Sequence, residues 1–158
     1  MPSTYPANGG GYYVNRYTLL FDIKVSYRGL RIPLYCSYPQ GGFDAGLIIS
    51  PDGALGVGYL YTDTEDYTDP NIVPLNEWVQ IGYIVDMTTQ SATILFNKTV
   101  LYSLDIPDGL DGYLSLYTEA DTTPVFSLFA DYYGLVNVSV SNFKFWNDSL
   151  SSTFLLTV

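Results

Sequence analysis

The fold is decided by residues 17–27, which read YTLLFDIKVSY. One set of alternate positions is mostly apolar and the other mostly polar: Tyr17, Leu19, Phe21, Ile23, Val25 and Tyr27 against Thr18, Asp22, Lys24 and Ser26. A period of two sustained over this length is difficult to reconcile with a helix, whose apolar positions recur every three to four residues. The stretch therefore predicts a long β-strand with one buried face.

The same alternation recurs along the chain in short runs separated by turn sequences. Trp78 opens one such run, and the turns include 50–53 (SPDG) and the dipeptide Asn97-Lys98. Near the C-terminus the alternation changes parity at 141–142, which predicts a β-bulge there. No segment keeps helical spacing for ten or so residues. Together these patterns predict an all-β fold, an antiparallel β-sandwich of two sheets.

Composition narrows the possible functions. The chain has 16 tyrosines and no histidine, and its net charge is −10. An acidic chain repels phosphate backbones, so nucleic acid is excluded as a partner. Charged residues make up only 14% of the chain, which favours an extracellular or cell-surface protein over a cytosolic one. No run of apolar residues has the length of a membrane span.

The chain is expected to form one domain. Residues 1–11 are rich in Pro, Gly and Ser and predict a flexible N-terminal arm or linker, and residues 12–158 predict the domain. Its two tryptophans, Trp78 and Trp146, begin or end strong strands and are predicted to lie in the core.

Several stretches together resemble the concanavalin A-like jelly roll and, within it, the laminin-G-like (LamG) modules. They are residues 11–23 (GYYVNRYTLLFDI), 43–49 (FDAGLII), 76–86 (NEWVQIGYIVD) and 138–146 (VSVSNFKFW). The chain departs from the pattern at Asn97-Lys98, where such modules carry Asn-Gly. The resemblance implies a jelly-roll sandwich in an extracellular setting, often with calcium at one rim. Modules of this kind bind glycans or proteins, so the ligand stays open.

Catalysis is not expected. Glycoside hydrolysis, which relatives of this fold perform, needs two carboxylates flanking the scissile bond. The three glutamates, Glu65, Glu77 and Glu119, do not form the Glu-x-Asp-x-x-Glu pattern of the glucanases in this superfamily. Without histidine there is no histidine-dependent base or triad.

Two acidic loops are candidate calcium sites. The first holds Asp63, Glu65, Asp66 and Asp69, and the second holds Asp105, Asp108 and Asp111. Ca²⁺ takes six to eight oxygen ligands, which carboxylates and backbone carbonyls of such loops could supply. The spacing is not that of an EF-hand. The alternative is a solvated acidic turn, because Asp and Gly favour turns for their own reasons.

Aromatic residues beside these carboxylates suggest a sugar site. Sugar rings lay their C–H faces on aromatic rings while their hydroxyls bond to polar side chains. The candidates are Tyr59, Tyr61 and Tyr67 near the first acidic loop, and Asp131, Tyr132 and Tyr133 in a later turn. The alternative is packing, since tyrosine is also a good strand former.

Two functional hypotheses follow. The first is a non-enzymatic extracellular recognition or adhesion module that binds a glycan or a protein surface through rim loops, with calcium ordering those loops. The second is a structural subunit of a surface layer or filament, in which residues 1–16 of one copy pair with the next.

Overall fold

The computed structural model describes residues 13–29, 31–38, 46–58, 66–105, 116–117, 125–129 and 137–157. The predicted flexible arm, residues 1–11, lies outside these ranges. The elements in chain order are β1 Tyr13–Val14, β2 Arg16–Tyr27, β3 Ile32–Pro33, β4 Tyr35–Tyr38, β5 Gly46–Ile49, β6 Leu55–Gly58, β7 Asp66–Tyr67, β8 Trp78–Asp86, β9 Ser91–Phe96, β10 Thr99–Asp105, β11 Leu116–Tyr117, β12 Val125–Leu128, β13 Asn137–Trp146 and the short helix α1 Ser152–Leu155.

The fold is all-β and antiparallel, which confirms the predicted two-sheet sandwich. One sheet has five strands in the order β10-β9-β8-β2-β13, and the other has four in the order β3-β5-β6-β7. β12 pairs with β4, and β1 with β11. β3 lies at the edge of the described four-stranded sheet, a position that suits Pro33, which cannot donate a ladder hydrogen bond.

The core lies between the two layers and follows the sequence alternation. Tyr17, Leu19, Phe21, Ile23 and Val25 of β2 are all fully buried. From the other layer the core receives side chains of β3 to β6 and of the loop that follows β7; among them are Leu34, Tyr35, Leu47, Ile49, Leu55 and Val73.

A tyrosine pair occupies the centre of this core. The hydroxyls of Tyr17 and Tyr35 are hydrogen-bonded at 2.6 Å, and the ring of Tyr83 packs against both. Burial raises the pKa of both Tyr17 and Tyr35 well above the ordinary value of 10.0. Both phenols therefore stay protonated, and each remains able to donate a hydrogen bond.

The predicted bulge and hairpin turn are both present. The register of β13 on β2 shifts between Val140 and Asn142, so Ser141 is the extra residue. Asn97 and Lys98 have φ of 45° and 63° and connect β9 to β10. This is the left-handed conformation that a two-residue hairpin turn needs.

A C-terminal segment lies on the outer face of the five-stranded sheet, opposite the core. Leu155 of α1 is 1% exposed and packs against Ile84 and Leu95. Gly82 lies under this contact: a Cβ there would touch the Leu155 Cδ1 at 3.5 Å and would crowd Leu95 at 3.3 Å. The helix has only four residues, so it is too short to be predicted from hydrophobic periodicity.

Polar contacts fix the start of the same segment. The Arg16 guanidinium lies 3.3 Å from the Asp86 carboxylate and 3.0 Å from that of Asp148, and Ser149 donates to Asp86 at 2.8 Å. Burial alone would raise the pKa of Asp86, but hydrogen bonds from Thr88 and Ser149, with the charge of Arg16, lower it below its ordinary value.

Within the described residues, no helix is long and apolar enough to cross a membrane.

Candidate functional site

Most residues predicted to bind ligand or metal lie outside the described part of the chain. These are Tyr59, Tyr61, Asp63, Glu65, Asp108, Asp111, Asp131, Tyr132 and Tyr133. Asp66 and Tyr67 form β7, which pairs with β6. Asp69 and Asp105 are exposed. In the described ranges no three acidic or cysteine side chains lie close enough together to hold a metal ion.

A different set of side chains comes together on the outer face of the five-stranded sheet. Asp22 of β2 pairs with Gln80 of β8 on one side and with Asn142 of β13 on the other. Gln80 donates its amide to one oxygen of the Asp22 carboxylate at 3.0 Å, and Asn142 donates to the other at 3.1 Å. The row continues to Asn97, whose side-chain oxygen accepts the backbone N–H of Gln80 at 2.9 Å.

Trp78 stands next to this row and is exposed. Its residue is 51% exposed, so the prediction that it lies in the core is wrong. Trp78 pairs with Lys24 of β2, and the Lys24 ammonium lies 5.5 Å from the centre of the indole. This is within the range of a cation–π contact.

Trp146 also lies outside the central core. It is half-buried on the outer face beside Ile84 and Leu95 and meets the ring of Phe154 edge-on. The reason is the same for both tryptophans, because strand alternation places them on the side opposite the inward residues.

We name Asp22, Lys24, Trp78, Gln80 and Asn142 the tryptophan face. Every member projects from a strand rather than a loop, so its direction is set by the sheet. Gln80 and Asn142 use their amide nitrogens to donate to Asp22. Their side-chain oxygens take no part in those bonds and can accept hydrogen bonds from a ligand. The face thus offers a flat aromatic surface, an ammonium and hydrogen-bonding groups at fixed positions.

The chemistry of the tryptophan face suits binding better than hydrolysis. Among its five residues only Asp22 carries a carboxylate, whereas glycoside hydrolysis by the common mechanisms needs two. Both Asp22 oxygens already accept hydrogen bonds from neighbouring amides. The carboxylate is therefore placed to orient those amides.

The sequence contained a signal for this face. Trp78 and Gln80 share the parity opposite to Val79 and Ile81, so alternation alone sends them to the same outer side. The residues that meet them across the strands could not be identified without the register.

The sequence matches no family model and no curated protein. Solved structures with the same fold are found, and the three that follow share 12–16% sequence identity with this chain. The IT-sialidase CBM40 of Ruminococcus gnavus, in a structure bound to α2,3-sialyllactose, has a TM-score of 0.64 and 15% identity over 90% of this chain and 82% of its own. A pentraxin of the SAP-like type from Limulus polyphemus gives 0.65 and 12% over 98% of this chain and 79% of its own.

A leech intramolecular trans-sialidase gives a TM-score of 0.67 at 16% identity, over 91% of this chain, but this chain spans only 23% of the leech enzyme. These likenesses support the fold alone. The laminin-G-like assignment within it stays a prediction. The chain has the concanavalin A-like jelly-roll fold.

Proposed function

We propose that this protein is a non-enzymatic extracellular module that recognises glycans, and that the tryptophan face is its binding surface. The observation that carries the proposal is the exposed indole of Trp78 beside the hydrogen-bonded row of Asp22, Gln80 and Asn142. An aromatic ring packs on the apolar face of a sugar, and neighbouring amides and carboxylates bond to its hydroxyls. The carbohydrate-related names among the structural neighbours support the same class of ligand.

The test is the loss of glycan binding in Trp78→Ala. A sugar that covers about 60 Å² of the indole gains about 1.5 kcal/mol, so the variant is expected to bind about tenfold more weakly. The measurement is affinity for a glycan panel by array, followed by calorimetry on the best binder.

Phe154→Ala is the matched control. Phe154 is an aromatic residue, 44% exposed, and its ring meets Trp146. Trp146 pairs with Thr18, six positions along β2 from Lys24, so this site is well separated from Trp78. The control is expected to bind like the wild type. The proposal fails if no glycan binds the wild type, or if both variants lose affinity equally.

The rim loops are a second part of the proposal. Calcium would order the loops that hold Asp63, Glu65, Asp66 and Asp69, or those of Asp105, Asp108 and Asp111, and bring nearby tyrosines to a glycan or protein. An ion that binds only the folded state raises the melting temperature. An unchanged melting temperature in millimolar Ca²⁺ would remove calcium from the proposal.

In the structural-subunit alternative, the pairing of residues 13–16 limits which residues could pair with another copy. Tyr13 and Val14 pair with β11 of the same chain, and Arg16 pairs with Asp86. Strand donation to another copy would therefore depend on residues 1–12. Light scattering across a concentration series tests it, because assembly through the arm would raise the average mass and deletion of 1–12 would abolish that rise.

A further inference from the structure

The lysines of this acidic chain are gathered on one sheet. Lys24, Lys98 and Lys144 are the complete set. Lys24 projects from β2, Lys144 from β13, and Lys98 lies in the turn between β9 and β10. All three belong to the five-stranded sheet or its hairpin, although the chain as a whole has a net charge of −10.

The three lysines surround the row through Asp22. Lys24 lies one row beyond it along the strands and Lys144, which pairs with Leu20, one row before it. Lys98 follows Asn97, where the row ends. From strand geometry the patch measures about 13 Å along the strands and about 14 Å across them, because three strand spacings separate β13 from β9.

The arginines do not contribute to this patch. Arg16 is paired with Asp86 and Asp148. Arg28 donates to the backbone carbonyl of Val73 at 2.7 Å. Arg31 is exposed just before β3, in the other layer.

Two acidic residues of the described part of the chain lie at the patch. Asp22 has both carboxylate oxygens hydrogen-bonded by amides. Glu77 is exposed and precedes Trp78. Counting described residues alone, three lysines stand against two acids at the patch, and the other six described acids lie elsewhere.

From this arrangement we infer that the ligand of the tryptophan face is an anionic glycan, one that carries carboxylate or sulfate groups. The inference rests on the proposed function and specifies its ligand class. A neutral sugar would need the indole and the amides but would gain nothing from the lysines. A sugar stacked on Trp78 would place its substituents within reach of the Lys24 ammonium, 5.5 Å from the ring centre.

A local patch is required for such binding, because the overall charge opposes it. At low ionic strength a net charge of −10 repels a polyanion over the whole surface. At physiological salt the Debye length is about 8 Å, so the distant acids are screened while lysines in contact with the ligand still act.

The experiment compares three polymers with the same backbone: dextran, carboxymethyl dextran and dextran sulfate. Dissociation constants are measured for the full chain near physiological salt. Carboxymethyl dextran, dextran sulfate or both are expected to bind at least about tenfold more tightly than dextran, and which of them binds better distinguishes carboxylate from sulfate recognition.

The variants are Lys24→Gln, Lys98→Gln and Lys144→Gln, made singly and together, with Arg31→Gln as the charge control. Each exposed ion pair lost should weaken binding about two- to fivefold, so the triple variant should lose about tenfold or more for the anionic polymers. Its weaker binding to dextran should change less than about twofold. Circular dichroism and melting temperature show whether each variant remains folded, and single lysine variants replace the triple if it does not.

The outcomes separate this inference from the proposed function. If all three polymers bind equally and Trp78→Ala weakens them equally, glycan recognition stands and the anionic ligand is overturned. If Arg31→Gln weakens anionic binding as much as a single lysine change, overall charge rather than the patch is responsible, and the inference is also overturned. If none of the three polymers and no glycan of the panel binds, both fail.

Discussion

The buried tyrosine pair allows a sharp test of how the core is held together. Tyr17 and Tyr35 are 0% exposed and their hydroxyls are 2.6 Å apart. The perturbation is the pair of changes Tyr17→Phe and Tyr35→Phe, made singly and together. Each change removes one oxygen and leaves the ring, so packing is preserved.

The expected magnitudes differ between single and double variants. A single change leaves the other hydroxyl buried without this hydrogen bond, which costs about 1–3 kcal/mol. The double change removes both polar groups and should cost about 1 kcal/mol or less. The two single losses add to about 2–6 kcal/mol. A double loss of about 1 kcal/mol or less therefore corresponds to a coupling energy of at least about 1 kcal/mol.

The assay is urea unfolding of the four proteins, checked by thermal melting. For a chain of this size 1 kcal/mol corresponds to a shift of about 2–4 °C in Tm. If the double variant loses the sum of the two single losses, the hydroxyls do not stabilise each other and the reasoning is refuted.

Three other predictions concern the C-terminal segment and the hairpin turn. Leu155→Ala should lower the free energy of unfolding by about 2–3 kcal/mol, because the leucine side chain is buried over Gly82. Protease cleavage near the C-terminus should become faster in the same variant. An unchanged free energy of unfolding would contradict this packing. Asp86→Asn should lower the free energy of unfolding by the same amount at every pH from about 5 to 7. The pKa of Asp86 is lowered in the folded state, so the ionised carboxylate stabilises the fold above its unfolded pKa. The difference in stability from the wild type should therefore close only as the pH falls below about 4. A gap that closes between pH 7 and 5 would show that another group is responsible. Lys98→Gly should raise the free energy of unfolding by about 0.5–1 kcal/mol, and with it the melting temperature, because a φ of 63° suits glycine better than lysine. A lower melting temperature would contradict this account of the turn.

The strands could be predicted from the sequence because one face of each is buried. Residues 17–27 become β2 nearly to the residue, and the parity change at 141–142 becomes the bulge. Both are local consequences of side-chain alternation around a core. The break between β3 and β4 at Leu34 was not predicted, because an interruption of the strand by one residue does not change the apolar pattern.

The candidate site was not predicted, because it depends on which strands become neighbours. Asp22, Gln80 and Asn142 are separated by 58 and 62 positions in the sequence, and only the strand order β8-β2-β13 brings them together. Trp78 was predicted to lie in the core because it begins a strong strand. The parity it shares with Gln80 was the better guide, because alternation follows from strand geometry wherever no bulge intervenes, whereas a preference for burial is only statistical.

The extra residue in β13 also decides what the protein can present to a ligand. Upstream of it, Val138 and Val140 lie on the core-facing side, so unbroken alternation would turn Asn142 and Lys144 inward as well. The added position reverses them, and Phe143 takes the inward place. Without this extra residue, a chain of otherwise identical sequence could not both turn Phe143 toward the core and place Asn142 and Lys144 on the outer face. In this strand the register that turns Phe143 inward is therefore also the register that presents Asn142 and Lys144 on the outer face.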